Sequence, residues 1–218
     1  MIETAATTLI VVRHGETVWN VQERFQGHGD SRLTETGRAQ AAVLAKRLKQ
    51  IHFDRMVASD LGRAKETASI LAGFTGHPVQ TDPRLRERSF GILEGLTVAE
   101  IRRRHPGMFE QLYADDPDYA PPEGETHRDH YRRNIGFVEE LLAEAPGVTA
   151  VLVAHSGVLD SLFRFVARLP LRQPRCFVIP NASISRFVHG TFYGTLRWVI
   201  ESWGDAAHLQ QIGYHGGL

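Results

Sequence analysis

The chain has 218 residues, of which 42% are hydrophobic and 23% charged, a composition that suits one α/β domain with a full core. Lys+Arg and Asp+Glu balance at 25 each, so no net field draws nucleic acid or an anionic membrane to the protein. The single cysteine, Cys176, excludes an internal disulfide framework and a multi-cysteine metal site, and fits a reducing compartment.

The N-terminal segment MIETAATT contains Glu3 and no basic stretch followed by a long apolar one, which argues against a secretory signal. No uncharged apolar run approaches the ~20 residues that a membrane-spanning helix needs. We therefore expect a cytoplasmic protein that does not interact with membranes.

The first part of the chain alternates predicted strands with predicted helices. TTLIVV (7–12) is apolar at successive positions, as in a strand buried on both faces. A helix is predicted over 35–50, with Thr34 as its N-cap. FDRMVAS (53–59) predicts the next strand, and a helix over 62–73 should end near Gly73.

The region 97–145 interrupts this alternation. It contains the charged helical segment VAEIRRRHPG, a stretch rich in Pro and Asp, and a helix that begins near Thr126. Thr126 and Asp129 have the spacing of a capping box. We expect this region to be an inserted helical cap that lies over one end of the sheet and selects the substrate.

The last part of the chain contains one more buried strand and a hairpin. VTAVLVA (148–154) predicts the strand, and a helix follows it from about Gly157 to Arg168. ASISRFV (182–188) and TLRWVIESW (195–203) flank a stretch with two glycines, as in a hairpin added to the sheet.

Strands linked through helices imply right-handed crossovers and a mainly parallel sheet with helices on both faces. The prediction is thus a single α/β domain over 1–218, with 97–145 as the inserted cap. The hairpin offers an edge at which two copies could pair, so a homodimer is possible.

Three segments carry residues typical of anion chemistry. In VVRHGETVWN (11–20), Arg13 and His14 follow directly on the first strand, at the edge where open α/β sheets bind ligands. Gly15 allows the backbone to turn tightly beside an anion. The simpler interpretation is a turn with solvent-exposed side chains, and a three-residue motif alone does not decide between the two.

In SDLGRAKETA (59–68), Arg63 falls in the first turn of a helix, where N–H groups and the helix dipole already favour an anion. Taken alone, an ion pair with Glu66 or Glu35 on the surface is the more common outcome. In VLVAHSGVLD (151–160), His155 ends a buried strand, where a single histidine is usually a hydrogen-bonded structural residue.

Taken together, the three segments indicate one site, because parallel strands end at the same edge of a sheet. Two arginines and two histidines that converge there repel one another unless an anion is bound. A phosphoryl group supplies that charge, and the cluster can stabilise its transfer without a metal. His127 and His130 share a helix face, but no carboxylate pattern accompanies them, so neither a metal nor a cofactor is expected.

A phosphoryl transfer also needs a general acid for the leaving oxygen. The candidates are Glu87 and Glu94, both in the segment RLRERSFGILEG (84–95). The residues by themselves do not choose between them.

The chain resembles the histidine phosphatase superfamily, also called phosphoglycerate-mutase-like, through the ordered segments RHGETVWN, RFQGHGDSRLTETG, SDLGRAKETA, LRERSFGILEG, PEGET and VLVAHSGVL. The resemblance implies a three-layer αβα sandwich in which His14 is phosphorylated and Glu87 donates the proton. It further implies that the phosphoryl oxygens are held by Arg13, Arg63 and His155 with Asn20, and that Gln26 and Gly27 border the substrate.

Two departures from the family pattern bear on the activity. Ser156 follows the second histidine, where many relatives have glycine, and the chain is short after the proton-donor motif, with Phe90 in place of tyrosine. The second difference is typical of the phosphatase branch. We therefore predict a metal-independent phosphatase acting on a small phosphorylated metabolite; the alternatives are a cofactor-dependent phosphoglycerate mutase and a non-catalytic protein that binds a phosphorylated ligand.

Overall fold

The computed structural model describes residues 6–114 and 116–213. Its strands are β1 (Thr7–Arg13), β2 (Arg55–Ala58), β3 (Val79–Thr81), β4 (Thr149–Ala154), β5 (Ile184–Phe192) and β6 (Thr195–Asp205). Its α-helices are α1 (Val18–Val21), α2 (Glu35–Leu48), α3 (Gly62–Thr75), α4 (Val98–Arg104), α5 (Met108–Leu112), α6 (His127–Glu144) and α7 (Ser156–Ala167). Short 3-10 helices lie at Pro83–Leu85, Gly91–Leu93 and Ala207–Ile212.

The strands form one mixed sheet in the order β3-β2-β4-β1-β5-β6. β3, β2, β4 and β1 run parallel, whereas β5 is antiparallel to β1 and β6 to β5. This arrangement confirms the predicted α/β class, with a parallel core and an added hairpin.

The core lies on both faces of the sheet. Alternate residues of β1 point to opposite sides, so Leu9 and Ile10 belong to different hydrophobic clusters. Helices α2 and α3 cover one face and α6 and α7 the other, as Leu44 and Leu159 illustrate. The predicted three-layer sandwich follows from this double covering.

Two predicted boundaries are wrong. Helix α3 continues through Gly73 to Thr75 and ends at Gly76, whose φ of 76° is the left-handed conformation that stops a helix. The hairpin link is also shorter than predicted, because β5 continues to Phe192. Only Tyr193 and Gly194 form the turn, and both have positive φ, as a two-residue hairpin turn requires.

The predicted N-caps agree with the structure. The Thr34 hydroxyl accepts a hydrogen bond from the Gly37 N–H at 2.9 Å, and the Thr126 hydroxyl accepts one from the Asp129 N–H at the same distance. Each bond satisfies a donor that the first turn of a helix leaves unpaired.

The region 97–145 contains α4, α5 and α6. Helix α6 contributes Ile135, Val138 and Leu141 to the core on one face of the sheet, so it is also part of the main layers. Whether 97–145 acts as a cap on one domain stays a prediction. Within residues 6–114 and 116–213, no helix is long and apolar enough to cross a bilayer.

Candidate active site

A cavity of about 460 Å³ opens at the carboxyl edge of the sheet, where β1, β2 and β4 end. It brings together residues that are distant in the sequence. Of the residues predicted for the site, its lining includes Arg13, His14, Asn20, Gln26, Gly27, Arg63 and Glu87. His155 is not among the lining residues and lies behind His14, with the two ring centroids 5.2 Å apart.

His14 is buried at the end of β1 with its ring fixed by two contacts. Its Nδ1 lies 2.7 Å from the Gly15 carbonyl oxygen, which can only accept, so Nδ1 carries the proton and Nε2 the lone pair. The Arg63 Nε donates to this Nε2 at 3.3 Å. Burial, together with Arg63 and Arg13, lowers the pKa of His14 well below its usual value, so the ring is neutral at pH 7.

Arg63 lies in the first turn of α3, and its side chain is almost completely buried. Its Nη1 and Nη2 donate to the carbonyl oxygens of Gly29 and Gly27, at 2.9 Å and 2.7 Å. Arg63 therefore does not form the surface ion pair that was the alternative interpretation. Burial lowers the pKa of the guanidinium, but an arginine still remains charged.

The other lining residues are held by bonds to the main chain and to Thr17. The Arg13 Nη1 donates to the Ile179 carbonyl oxygen at 2.5 Å. The Asn20 Oδ1 accepts from the Thr17 N–H at 3.1 Å, and the Gln26 Oε1 accepts from the Thr17 hydroxyl at 3.1 Å. Gly27 has a φ of 53°, which orients its carbonyl towards Arg63.

His155 occupies the position just before α7 and is fully buried. Neither ring nitrogen has a hydrogen-bond partner in the described part of the chain. Burial and the charge of Arg63 lower its pKa well below the usual value, so this ring is also neutral at pH 7. A buried polar group without a partner is costly, and an anion beside His14 would supply an acceptor.

The Glu87 carboxylate is held by the beginning of α7. Its Oε2 accepts hydrogen bonds from the Gly157 N–H at 3.1 Å and the Ser156 hydroxyl at 3.2 Å. Its Oε1 accepts from the Arg88 N–H at 2.9 Å. Ser156, the departure from the family pattern, is therefore a direct partner of this carboxylate, and nothing in the sequence indicated that contact.

Glu94 has different surroundings. Its Oε1 accepts from the N–H groups of His28 and Phe90, both at 2.9 Å, and its Oε2 from the Gly29 N–H at 2.7 Å. These bonds tie the 27–29 loop to the segment after Glu87. Glu94 does not line the cavity, so of the two candidate acids only Glu87 faces it.

Two further residues, which the sequence analysis missed, fix the main chain at Glu87. Arg133, on α6, donates from Nη2 to the Glu87 carbonyl oxygen at 2.8 Å and from Nη1 to that of Arg86 at 2.7 Å. The His28 Nε2 lies 2.9 Å from the same Glu87 oxygen. Arg133 stands in none of the family segments, and His28 stands in one of them without a predicted role; only the folded chain brings both residues to Glu87.

The two histidines on α6 have separate neighbours. The His130 Nε2 lies 3.8 Å from the Glu87 Oε1, whereas the His127 Nε2 lies 3.5 Å from the Asp160 Oδ2. Among residues 6–114 and 116–213, no group of three or more His, Cys, Asp or Glu side chains is placed to hold a metal ion.

Comparisons with known proteins agree on one family. The model for the histidine phosphatase superfamily (branch 1) matches residues 9–206. A curated probable phosphoglycerate mutase GpmB from Cronobacter sakazakii is 38% identical over 200 residues, covering 91% of this chain and 93% of that protein.

Solved structures give the same result. A mycobacterial glucosyl-3-phosphoglycerate phosphatase in complex with VO3 is 35% identical, has a TM-score of 0.81, and is matched over 91% of this chain and 99% of that one. Bacillus stearothermophilus YhfR is 36% identical with a TM-score of 0.81, covering 93% and 99% of the two chains.

Proposed function

Because this chain belongs to the histidine phosphatase superfamily (branch 1), we propose that it hydrolyses small phosphomonoesters through a phosphohistidine formed on His14. One observation carries the proposal: the Nε2 lone pair of a neutral His14 faces Arg63, in the same cavity as Arg13 and the Glu87 carboxyl group. The set contains a nucleophile, cations for the phosphoryl oxygens and an acid for the leaving group.

In the first step, the His14 Nε2 gives up its hydrogen bond from the Arg63 Nε and attacks phosphorus with the freed lone pair, while the bond from phosphorus to the substrate's ester oxygen breaks. Nδ1 keeps its proton and donates a hydrogen bond to the Gly15 carbonyl oxygen. This bond stabilises the ring as it becomes positively charged. Arg13 and Arg63 hold the phosphoryl oxygens, and His155 donates from its buried ring. Asn20 and Gln26 border the same group, and Gly27 orients Arg63.

Glu87 transfers the protons. When protonated, it gives its proton to the departing oxygen, so the product leaves as an alcohol. The carboxylate then takes a proton from a water molecule whose oxygen attacks phosphorus. The bond between phosphorus and Nε2 breaks, inorganic phosphate leaves, and Glu87 is protonated again for the next cycle.

The second candidate is a phosphoglycerate mutase, since a relative 38% identical carries that name. The same phosphohistidine would then return its phosphate to a bound sugar acid rather than to water. Hydrolysis is favoured here by a solved relative named as a phosphatase that is matched over 99% of its length. A phosphatase releases phosphate from the first turnover, whereas a mutase needs a bisphosphorylated primer and releases none.

Trapping the intermediate tests the nucleophile. Acid quenching destroys a phosphohistidine and base preserves it, so we expect base-stable label on the wild-type protein from a ³²P-labelled monoester. His14→Ala should abolish the label. His52→Ala is the control, because the His52 side chain is 91% exposed and does not line the cavity. Undiminished labelling of His14→Ala would exclude the proposed nucleophile.

A phosphate-release assay over a panel of phosphomonoesters, with a chelator present, tests the reaction type. We expect release without any primer and inhibition by vanadate, since a relative has been solved with VO3. Isomerisation of a phosphoglycerate that depends on a bisphosphate primer, without phosphate release, would favour the mutase instead. A cytoplasmic location and a homodimer remain predictions from the sequence.

A further inference from the structure

The wall of the cavity on the Glu87 side contains several cationic side chains. If Glu87 protonates the leaving oxygen, the leaving group must lie on this side. Arg88 follows Glu87 directly, and the Arg175 Nη2 donates to the Ser156 carbonyl oxygen at 3.4 Å, next to the hydroxyl that bonds Glu87. Both arginines line the cavity.

The positive charge of this wall exceeds its negative charge. Asp160, with its side chain 6% exposed, faces two guanidinium groups: the Arg164 Nε at 2.9 Å from Oδ2 and the Arg175 Nε at 3.6 Å from Oδ1. Arg88 donates to the carbonyl oxygens of Glu125 and Tyr119, at 2.8 Å each, rather than to a carboxylate.

Two other carboxylates line the cavity, Glu23 and Asp116. In the described part of the chain, neither forms an ion pair with Arg88 or Arg175. The wall thus carries the three guanidinium groups of Arg88, Arg164 and Arg175 against the two carboxyl groups of Asp160 and Glu87, which leaves one positive charge in excess where the leaving group would lie.

The segment that carries Arg175 is fixed at both ends. After α7, the Arg164 Nη1 donates to the Pro170 carbonyl oxygen at 2.8 Å. Before β5, the Arg13 Nη1 donates to the Ile179 carbonyl oxygen. Arg175 lies between these anchors, and its side chain is 39% exposed, so it can still reach a ligand. Asp160 limits the directions in which the guanidinium can point.

We infer that Arg175, oriented by Asp160, determines specificity by binding a carboxylate on the leaving group of the substrate. A carboxylate carries one charge, which suits one guanidinium that already shares Asp160, and it accepts two parallel N–H bonds. This inference rests on the proposed function: the phosphoryl group binds at Arg13 and Arg63, and the carboxylate of the same molecule binds at Arg175.

A matched pair of ligands tests the inference. D-3-phosphoglycerate and glycerol 3-phosphate share a carbon skeleton and differ in having a carboxylate or a hydroxymethyl group. We would measure the inhibition constant of each against p-nitrophenyl phosphate hydrolysis. The wild-type enzyme should bind D-3-phosphoglycerate more tightly, and Arg175→Gln should weaken that binding about tenfold, the value of one charged hydrogen bond at a half-exposed site. Binding of glycerol 3-phosphate should hardly change.

Three further variants complete the design. Arg172→Gln removes a cation from the same segment that does not line the cavity, and it should alter neither constant. Arg175→Lys keeps the charge and should restore part of the preference for the carboxylate. Asp160→Asn should reduce the preference with little effect on glycerol 3-phosphate, because Arg175 loses its orientation. Melting temperatures would show that each variant is folded.

The outcomes separate the two proposals. The inference would be overturned if Arg175→Gln weakened the binding of both ligands equally, or if the wild-type enzyme showed no preference for the carboxylate. Either result would leave the proposed phosphatase function unaffected. Absence of phosphate release by the wild-type enzyme, both from p-nitrophenyl phosphate and from every phosphomonoester of the panel, would overturn the proposed function and the inference with it.

Discussion

Glu87 and Glu94 stand in one short segment, and their different surroundings assign them different roles. Glu87 faces the cavity, whereas Glu94 accepts three main-chain N–H bonds that join two loops. We predict that Glu87→Gln lowers kcat by about 10²–10⁴-fold, because it removes the proposed proton donor. Its amide also meets the N–H of Arg88 or of Gly157, so some stability is lost as well. Steady-state kinetics and urea unfolding measure both effects.

Glu94→Gln is the matched comparison. Its amide places an NH2 group against main-chain donors, so we expect a loss of about 1.5–3 kcal/mol in the free energy of unfolding. The loop that presents the Gly27 and Gly29 carbonyls to Arg63 should also become less ordered. Arg63 would then be positioned less well, and we expect KM to rise. A stable Glu94→Gln protein with the larger loss of kcat would reverse the two assignments.

Gly157 has no room for a side chain. A Cβ added there would lie 2.1 Å from the Glu87 Oε1 and 2.9 Å from the His130 Cε1. We predict that Gly157→Ala displaces the carboxyl group and lowers kcat by about 10²-fold, since a shift of about 1 Å in a catalytic group has that effect. Gly136→Ala on α6 is the control, because nothing lies within 4 Å of its added Cβ. Full activity of Gly157→Ala would show that Glu87 tolerates displacement.

At the scale of elements, helix α6 positions the segment that carries Glu87. Arg133 donates to the carbonyl oxygens of Arg84, Arg86 and Glu87, and also bonds the Glu125 carboxylate. We predict that Arg133→Gln lowers kcat by up to about 10²-fold with a smaller effect on KM, because the proposed proton donor loses its support while the arginines proposed to bind phosphate keep theirs. Stopped-flow or steady-state assays give the two constants.

The adjacent Arg132→Gln provides the control. The Arg132 side chain is 69% exposed and its guanidinium forms an ion pair with Asp129 at 3.5 Å, so its loss should change neither constant. If both variants behave alike, the effect of Arg133 comes from net charge rather than from the bonds to the main chain.

Element patterns also explain which parts of the site could be predicted. Arg13, His14 and His155 follow from strand periodicity, because parallel strands that end at such residues must present them at one edge. Arg63 follows from its place in the first turn of the helix after β2, which begins at the same edge. The hydrogen-bond partners of Glu87 could not be predicted from these patterns. Gly157 lies 70 residues from Glu87 and Arg133 lies 46 residues from it, and loops bring them together in a way that no local pattern records.

At the scale of the whole molecule, the site places three neutral histidines in the interior. His14, His130 and His155 are each at most 3% exposed, and burial is the largest cause that lowers each pKa. Nearby arginines lower them further. The fold therefore keeps these rings neutral at a pH below 6.5, where a free histidine becomes protonated.

Stability should consequently fall as the solution becomes acidic. Below pH 6.5 the unfolded chain takes up protons at these three histidines while the folded protein does not, so the free energy of unfolding is highest above 6.5 and decreases below it. The slope is at most about 1.4 kcal/mol per pH unit for each histidine. Carboxylates with a lowered pKa, such as Asp205, change the free energy of unfolding only nearer pH 4, where the unfolded chain takes up protons at them. Urea unfolding at pH 7.5, 6.5 and 5.5 measures the slope, and His130→Gln should reduce it by the share of one histidine. Equal stability at all three pH values would mean that these rings titrate normally in the folded protein, and that His14 is not held neutral for attack.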